Sequence, residues 1–186
     1  MTIKAIFFDF DQTLVDTMPA SIKCFKGWCR LTNLKPTKKL FNKFIELRVK
    51  DAVNLFHEKS GISKKELQKN FTETFTESIP EIKFYGGELL PKLKNQKIAI
   101  ITYNIKDVVI PILKYFNVKY DLLITDDDIL NAEKHDAMLM ALKKLKLKKS
   151  EVLYVGDVIT DVIESHKAGI KSVVVPTGFM KKIYIK

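Results

Sequence analysis

Two pairs of aspartates, Asp9 with Asp11 and Asp157 with Asp161, have the type and spacing to handle an anion together with a hard cation. Asp9-Phe10-Asp11-Gln12-Thr13 follows the apolar run Ala5 to Phe8. The alternation of a strand puts Asp9 and Asp11 on one side, where two carboxylates at the end of an apolar run are costly unless something cationic compensates them. A simple capped turn, with Asp and Thr satisfying local amides, would explain this stretch taken alone. The second pair stands in Gly156-Asp157-x-x-x-Asp161. If a helix opens just after Asp157, Asp161 lies in its first turns and can face the same pocket. Four carboxylates converging on one edge carry a formal charge of −4. Each pKa unit of their mutual repulsion is worth roughly 1.4 kcal/mol. A hard divalent cation relieves this. Oxygen-only ligands without His or Cys nearby point to Mg²⁺, which keeps several waters and shares its other positions with phosphate. Thr102 ends a second apolar run, and Lys134 opens a helix after a third, where it adds positive charge to the same edge.

Convergence of residues so far apart requires a sheet. Apolar runs rich in Ile, Val and Phe recur at 3–9, 97–102, 121–125, 151–155 and 171–175, with helical patterns between them. This alternation predicts an α/β fold with a Rossmann-like parallel sheet covered by helices on both faces. Right-handed crossovers then bring every strand's carboxyl end to one edge, where open sheets of this type bind ligands. One connection is far longer than a single helix needs. Between residues 16 and 82 apolar positions such as Ile22, Phe25, Phe44, Val53, Phe56, Leu67, Phe71 and Phe75 recur near helical spacing. Breaks at 33–36, at Ser60-Gly61 and at Pro80 divide this stretch into three or four helices. The expected organisation is a core of residues 1–15 and 83–186 with a small all-helical cap, 16–82, inserted after the first strand. A further helix is expected after Tyr85-Gly86-Gly87.

The remaining composition narrows the class. At 186 residues there is room for one well-buried core and a small second module. With 46% hydrophobic and 29% charged residues, the chain is neither fibrous nor disordered. No run is long enough for a signal peptide or a membrane span, so the expected location is the cytoplasm and no membrane partner is expected. Cys24 and Cys29 have no further cysteines to complete a zinc site and read as reduced, packed thiols. The net charge of +10 attracts anions generally, yet only Arg30 and Arg48 among 32 basic residues are arginine, and base-edge readout relies on the guanidinium fork. The lysine run Lys143, Lys144, Lys146, Lys148 and Lys149 reads as a solvated helix end, and no nucleic acid is expected.

Here the chain resembles the haloacid dehalogenase-like superfamily over nearly its whole length. Asp9-x-Asp11-x-Thr13, Thr102 after an apolar strand, Lys134, and Gly156-Asp157-x-x-x-Asp161 appear in the family's order, and Ala168-Gly169-Ile170-Lys171 is similar to its last helix-to-strand connection. The helical insertion is similar to the caps of phosphoglycolate phosphatase-like and β-phosphoglucomutase-like members. The resemblance implies a phosphatase in which Asp9 attacks phosphorus and Asp11 protonates the leaving oxygen and then activates water. It implies Mg²⁺ held by the Asp9 side chain, the Asp11 carbonyl and Asp157, with Asp161 supporting it directly or through water. Thr102 and Lys134 would hold the phosphoryl oxygens of a small phosphorylated metabolite. The chemistry agrees, since phosphoryl transfer asks for charge neutralisation and in-line positioning above all.

Three positions depart from the family's habit: Gln12 where many members have Gly, Tyr103 beside Thr102, and His135 where Pro is common. Other chemistries stay open on this scaffold: a phosphomutase, a 2-haloacid dehalogenase, a phosphonatase, or a non-catalytic binding protein. Asp11 favours phosphate chemistry over dehalogenation. His57 and His166 read as structural or exposed, Asp126 to Asp128 as helix capping, and Trp28 as cap core. Arg48 is the cap residue placed to grip a second anion of the substrate.

Overall fold

A computed structural model describes residues 2–129 and 132–177, so the last part of the expected core segment, 178–186, lies outside the described residues. In chain order, β1 (Ala5–Phe8) and a short β2 (Val15–Asp16) precede four helices, α1 (Met18–Leu31), α2 (Lys38–Glu46), α3 (Val49–Ser60) and α4 (Lys64–Ser78). A second short strand, β3 (Lys83–Phe84), follows them. The chain continues through β4 (Lys97–Ile101), α5 (Lys106–Tyr115), β5 (Leu122–Ile124), α6 (Asp126–Ile129) and α7 (Lys134–Leu145). It closes with β6 (Val152–Gly156), α8 (Ile159–Ala168) and β7 (Lys171–Val174).

All five predicted apolar runs become strands of one parallel sheet in the order β5-β4-β1-β6-β7. β1 is central because its side chains are apolar on both faces. Phe8, with Ile98, Ile100 and Val155, packs towards Val108, Val109, Ile112 and Leu113 of α5 and towards the inserted helices. Ala5 and Phe7, with Ala99, Ile101 and Tyr154, pack towards Ala137, Met138, Ala141 and Leu142 of α7. This two-sided burial is what a parallel sheet flanked by helices demands. The register sets Phe8 beside Ile100 on one side and Val155 on the other, so the chain leaves β1, β4 and β6 at nearly one level.

The inserted helices start and stop by local chemistry. Thr37 and Ser63 accept hydrogen bonds from the amides of Leu40 and Glu66 to cap α2 and α4, and Gly61 ends α3 in the left-handed region at φ 75°. Their packing centres on Trp28, whose ring lies 5.0 Å from that of Phe56 and 5.5 Å from that of Phe44. Burying each such aromatic contributes about 1.5–3 kcal/mol, and Trp28 is fully enclosed in apolar side chains, as its helical spacing implied. β2 and β3 pair antiparallel, Val15 with Phe84 and Asp16 with Lys83, so the chain leaves and re-enters at one two-stranded ribbon.

Two local expectations change. α2 and α3 are separated at Leu47-Arg48, where both residues take extended backbone although neither is a Gly or Pro breaker. After Gly87 only a single 3-10 turn, Leu90–Lys92, forms, because Pro91 and the approaching strand leave no length for a helix. Cys24 and Cys29 are free and buried, and no described helix is long and apolar enough to cross a membrane.

Candidate active site

Asp9 is the first residue past β1, and its N–H still bonds to the Val155 carbonyl at 2.8 Å, which fixes the residue on the sheet edge. The chain then turns sharply: the Phe10 carbonyl accepts from the amides of Thr13, Leu14 and Val15, and Gln12 stands at φ 59°. A glycine would meet this backbone without strain. A side chain there costs on the order of 1 kcal/mol. The tight turn folds Thr13 back, so that its hydroxyl lies 3.4 Å from Asp9 Oδ2 and 3.3 Å from Asp157 Oδ1.

Lys134, the first residue of α7, places its ammonium 2.7 Å from Asp9 Oδ1 and 2.6 Å from Asp161 Oδ1. Asp161 lies one turn into α8, as the spacing from Asp157 required, and its carboxylate is saturated. Oδ1 accepts from Lys134 and from the Tyr154 hydroxyl at 3.2 Å, while Oδ2 accepts from the amides of Asp157 and Val158 at 3.1 and 3.3 Å. Gly156 is required for this arrangement, because a Cβ there would overlap the Asp161 carboxyl group.

Oxygens of Asp9, Asp157 and Asp161 lie within 4.8 Å of one another, and all three residues are buried. Three carboxylates against the one Lys134 ammonium leave a formal charge of −2. The consequences appear in the protonation equilibria. Burial first, then the neighbouring carboxylates, raises Asp9 well above the usual range against the opposing pull of Lys134. Burial and Asp161 push Asp157 up to about 7. Burial alone would lower Lys134, but Asp9 and its neighbours raise it further, so it is an ammonium. The donor set suits a hard divalent cation: oxygen only, anionic and pre-assembled. Asp9 and Asp157 retain open lone pairs for it, whereas the Asp161 oxygens are taken by protein donors.

Asp11 reaches the same edge but turns away from this cluster. Its Oδ1 accepts from Thr17 Oγ1 at 2.7 Å and Asn104 Nδ2 at 3.2 Å, and its Oδ2 from Thr102 Oγ1 and Asn104 Nδ2, both at 3.3 Å. Burial raises its pKa, and these neutral donors only partly offset that. Strand alternation thus placed Asp9 and Asp11 on one edge without making them one group. Thr102, at the end of β4, also accepts the Asn104 amide at 3.0 Å, so the loop after β4 is pinned on its hydroxyl.

One residue at the site, Asn104, carried no sequence signal, and others that did take roles of their own in the fold. Asn104 lies outside the quoted motifs, and only the folded loop turns its amide to Asp11. The Arg48 guanidinium donates to the Ala132 carbonyl at 2.6 Å, pairs with Asp126 Oδ1 at 3.4 Å, and stacks 4.0 Å above the Tyr103 ring. It is therefore committed to the sheet side of the molecule. Asp126 is buried rather than a solvated cap, while Asp127 Oδ2 accepts the Lys106 amide at the start of α5, as capping implied. His135, in place of Pro, anchors its helix differently: its amide and Nδ1 lie 3.1 and 2.7 Å from Glu164 Oε2. His57 Nδ1 sits 2.8 Å from the Ile62 carbonyl, a structural contact.

The profile of the haloacid dehalogenase-like hydrolase family matches residues 6–175. Pyrophosphatase PpaX of Bacillus cereus is 25% identical over 202 residues, covering 100% of this chain and 89% of that protein. Among solved structures, CbbY from Rhodobacter sphaeroides, in complex with phosphate, superposes with a TM-score of 0.83 at 19% identity, covering 99% of this chain and 90% of that one. A protein described as a predicted phosphoglycolate phosphatase, from Haemophilus somnus, gives 0.79 at 22% identity, covering 96% and 87%. These structures share the fold.

Proposed function

The chain belongs to the haloacid dehalogenase-like hydrolase family, and we propose that it is a Mg²⁺-dependent phosphatase acting on a small phosphorylated metabolite through an aspartyl-phosphate on Asp9. The observation that carries this reading is the division of labour between two carboxylates two residues apart. Asp9 is paired with a buried ammonium beside two further carboxylates, and Asp11 is held by neutral donors alone.

Lys134 keeps Asp9 in one orientation through Oδ1, which leaves Oδ2, with only a long contact to Thr13, to attack phosphorus. The Asp9 Oδ2–P bond forms as the bond from phosphorus to the leaving oxygen breaks, and that oxygen takes a proton from Asp11. In the second half, water attacks the phosphoryl group, its proton passes to Asp11, and the bond to Asp9 breaks with its electrons returning to the carboxylate. The raised pKa of buried Asp11 suits a group that must hold a proton in one half and receive it in the other. Thr102 and Lys134 bring a hydroxyl and an ammonium to this edge, and they would hold the phosphoryl oxygens. Asp9, Asp157 and the Asp11 carbonyl would hold Mg²⁺, with Asp161 positioning Lys134 and the Asp157 backbone. When bound, the cation supplies the positive charge that lets a phosphate dianion approach these carboxylates.

Helices α1–α4 act as the cap, residues 16–82, over a core of 1–15 and 83–186, the two joined through the β2–β3 ribbon. The names of the relatives, a pyrophosphatase and a phosphoglycolate phosphatase, support a small phosphorylated compound as substrate. The test is hydrolysis of p-nitrophenyl phosphate by wild type and Asp9→Asn, each with Mg²⁺ and with excess EDTA, together with acid trapping of the phosphoenzyme. Activity and trapped phosphate should both vanish in the variant and on chelation. Turnover that survives in Asp9→Asn would remove Asp9 as nucleophile.

A further inference from the structure

Asn104 stands in no motif, yet among the described residues it is the one whose hydrogen bonds reach both oxygens of Asp11, at 3.2 and 3.3 Å from a single Nδ2. Its own orientation is fixed independently. The Asn104 amide donates to Thr102 Oγ1 at 3.0 Å, its carbonyl accepts the Asp126 amide at 3.1 Å, and its side-chain Oδ1 accepts the Ile105 N–H at 2.9 Å. Because Oδ1 is committed to a backbone donor, the NH₂ end must face Asp11, and no amide flip satisfies both neighbours. The side chain is buried, so water cannot substitute for it.

We propose that Asn104 is the positioning residue for Asp11, fixing the plane of its carboxyl group so that the acidic proton is presented to the leaving oxygen. This rests on the phosphatase reading above. Thr17, which precedes α1 of the inserted helices, grips only Oδ1, and Thr102 grips only Oδ2, so either hydroxyl taken singly lets the carboxyl rotate about its one contact. A bridging donor across both oxygens removes the rotation. In the transfer step the O–H bond of Asp11 breaks as the proton moves to the leaving oxygen, and the electron pair of the cleaved P–O bond stays with that oxygen.

An acid matters most when the leaving group is poor. The test is therefore kcat/KM across a series of aryl phosphates from p-nitrophenyl to p-methylphenyl, measured for wild type, Asn104→Asp and Asn104→Ala with Mg²⁺ present. Asn104→Asp keeps the acceptor for the Ile105 amide and loses the donor to Asp11; Asn104→Ala loses both without adding charge. Both variants should lose about tenfold or more in kcat/KM on the poorest leaving group and about threefold or less on p-nitrophenyl phosphate, steepening the leaving-group dependence. A uniform loss across the series, or none, overturns the positioning role. Failure of the phosphatase reading looks different: wild type would then lack Mg²⁺-dependent turnover of every aryl phosphate, and the inference would fall with it.

Discussion

Arg48 stacks on Tyr103, its guanidinium carbon 4.0 Å from the ring centroid, while the Lys134 ammonium lies 5.7 Å from the same centroid. A residue that opens α3 is thus packed on the neighbour of Thr102, next to the lysine that holds Asp9. The contact ties the inserted helices to the loops that build the site.

Removal of Arg48 should be felt in stability. Arg48→Ala removes the ion pair of buried Asp126, leaving Lys50 as the cation that still compensates it, and should cost about 1–2 kcal/mol, read as a lowered urea midpoint. Adding Asp126→Asn should recover part of this, since the buried charge is then gone. Equal midpoints for wild type and Arg48→Ala would show that the contact contributes nothing. A raised KM with unchanged stability would instead return Arg48 to the role of substrate anchor.

Lys134 compensates Asp9 and Asp161 in a site where all three are buried. Lys134→Ala should destabilise the metal-free protein by about 3–5 kcal/mol, and saturating Mg²⁺ should restore part of the loss by supplying positive charge to the same carboxylates. Melting curves with and without Mg²⁺ decide it. A variant that melts like wild type in EDTA would contradict the electrostatic account of the cluster.

Asp157 gives a pH dependence with a defined sign. Its folded-state pKa, about 7, lies above the unfolded value near 3.8, so the folded protein binds the proton more tightly. The associated stability is present below pH about 4 and is lost as pH rises to about 7. Mg²⁺ competes with that proton, so its stabilising effect should grow from pH 5 to pH 8. Thermal shifts of the same size at both ends of that range would rule the linkage out.

Gly156→Ala tests the last motif by shape alone. The new Cβ would occupy the place of the Asp161 carboxyl group, which in turn holds Lys134 and the amides of Asp157 and Val158. Displacing it should cost about 3 kcal/mol or more and lower turnover by at least tenfold through misplaced Lys134. Normal stability and turnover in this variant would mean that the loop shifts freely.

Glu164 behaves oppositely to Asp157. Burial alone would raise its pKa, but hydrogen bonds from Lys167 and His135 outweigh it and lower it to about 2. Its contribution is present above the unfolded value near 4.5 and is lost as pH falls towards 2. Glu164→Gln should therefore cost about 1–2 kcal/mol at pH 7 and converge on wild type in acid. A pH-independent difference would assign the effect to packing instead.

The sequence by itself determined the scaffold and most of the candidate site. Period and apolar content decide a strand locally, which is why β1, β4, β5 and β7 fall within the predicted runs and β6 passes the end of its run by one residue, and the crossover rules then bring Asp9, Thr102, Lys134 and Asp157 to one edge without any knowledge of packing. The helical period likewise marked Trp28 and the phenylalanines as the interior of the insertion. The tertiary structure alone decided what each carboxylate faces. Asp9 and Asp11 are two residues apart, yet one meets Lys134 and the other meets Thr17, Thr102 and Asn104, because loops from different parts of the chain bring these partners to the two carboxylates. Asn104 went unmarked, and the contacts made by Arg48 and Asp126 differ from those expected, for the same reason. Each is an ordinary polar residue in an unpatterned loop or helix end, and its partner is 55 to 93 positions away or differs from what local capping predicts, so its role exists only where distant loops meet. Secondary structure follows from neighbours along the chain, whereas the electrostatics of a buried site depends on distances that the chain alone does not contain.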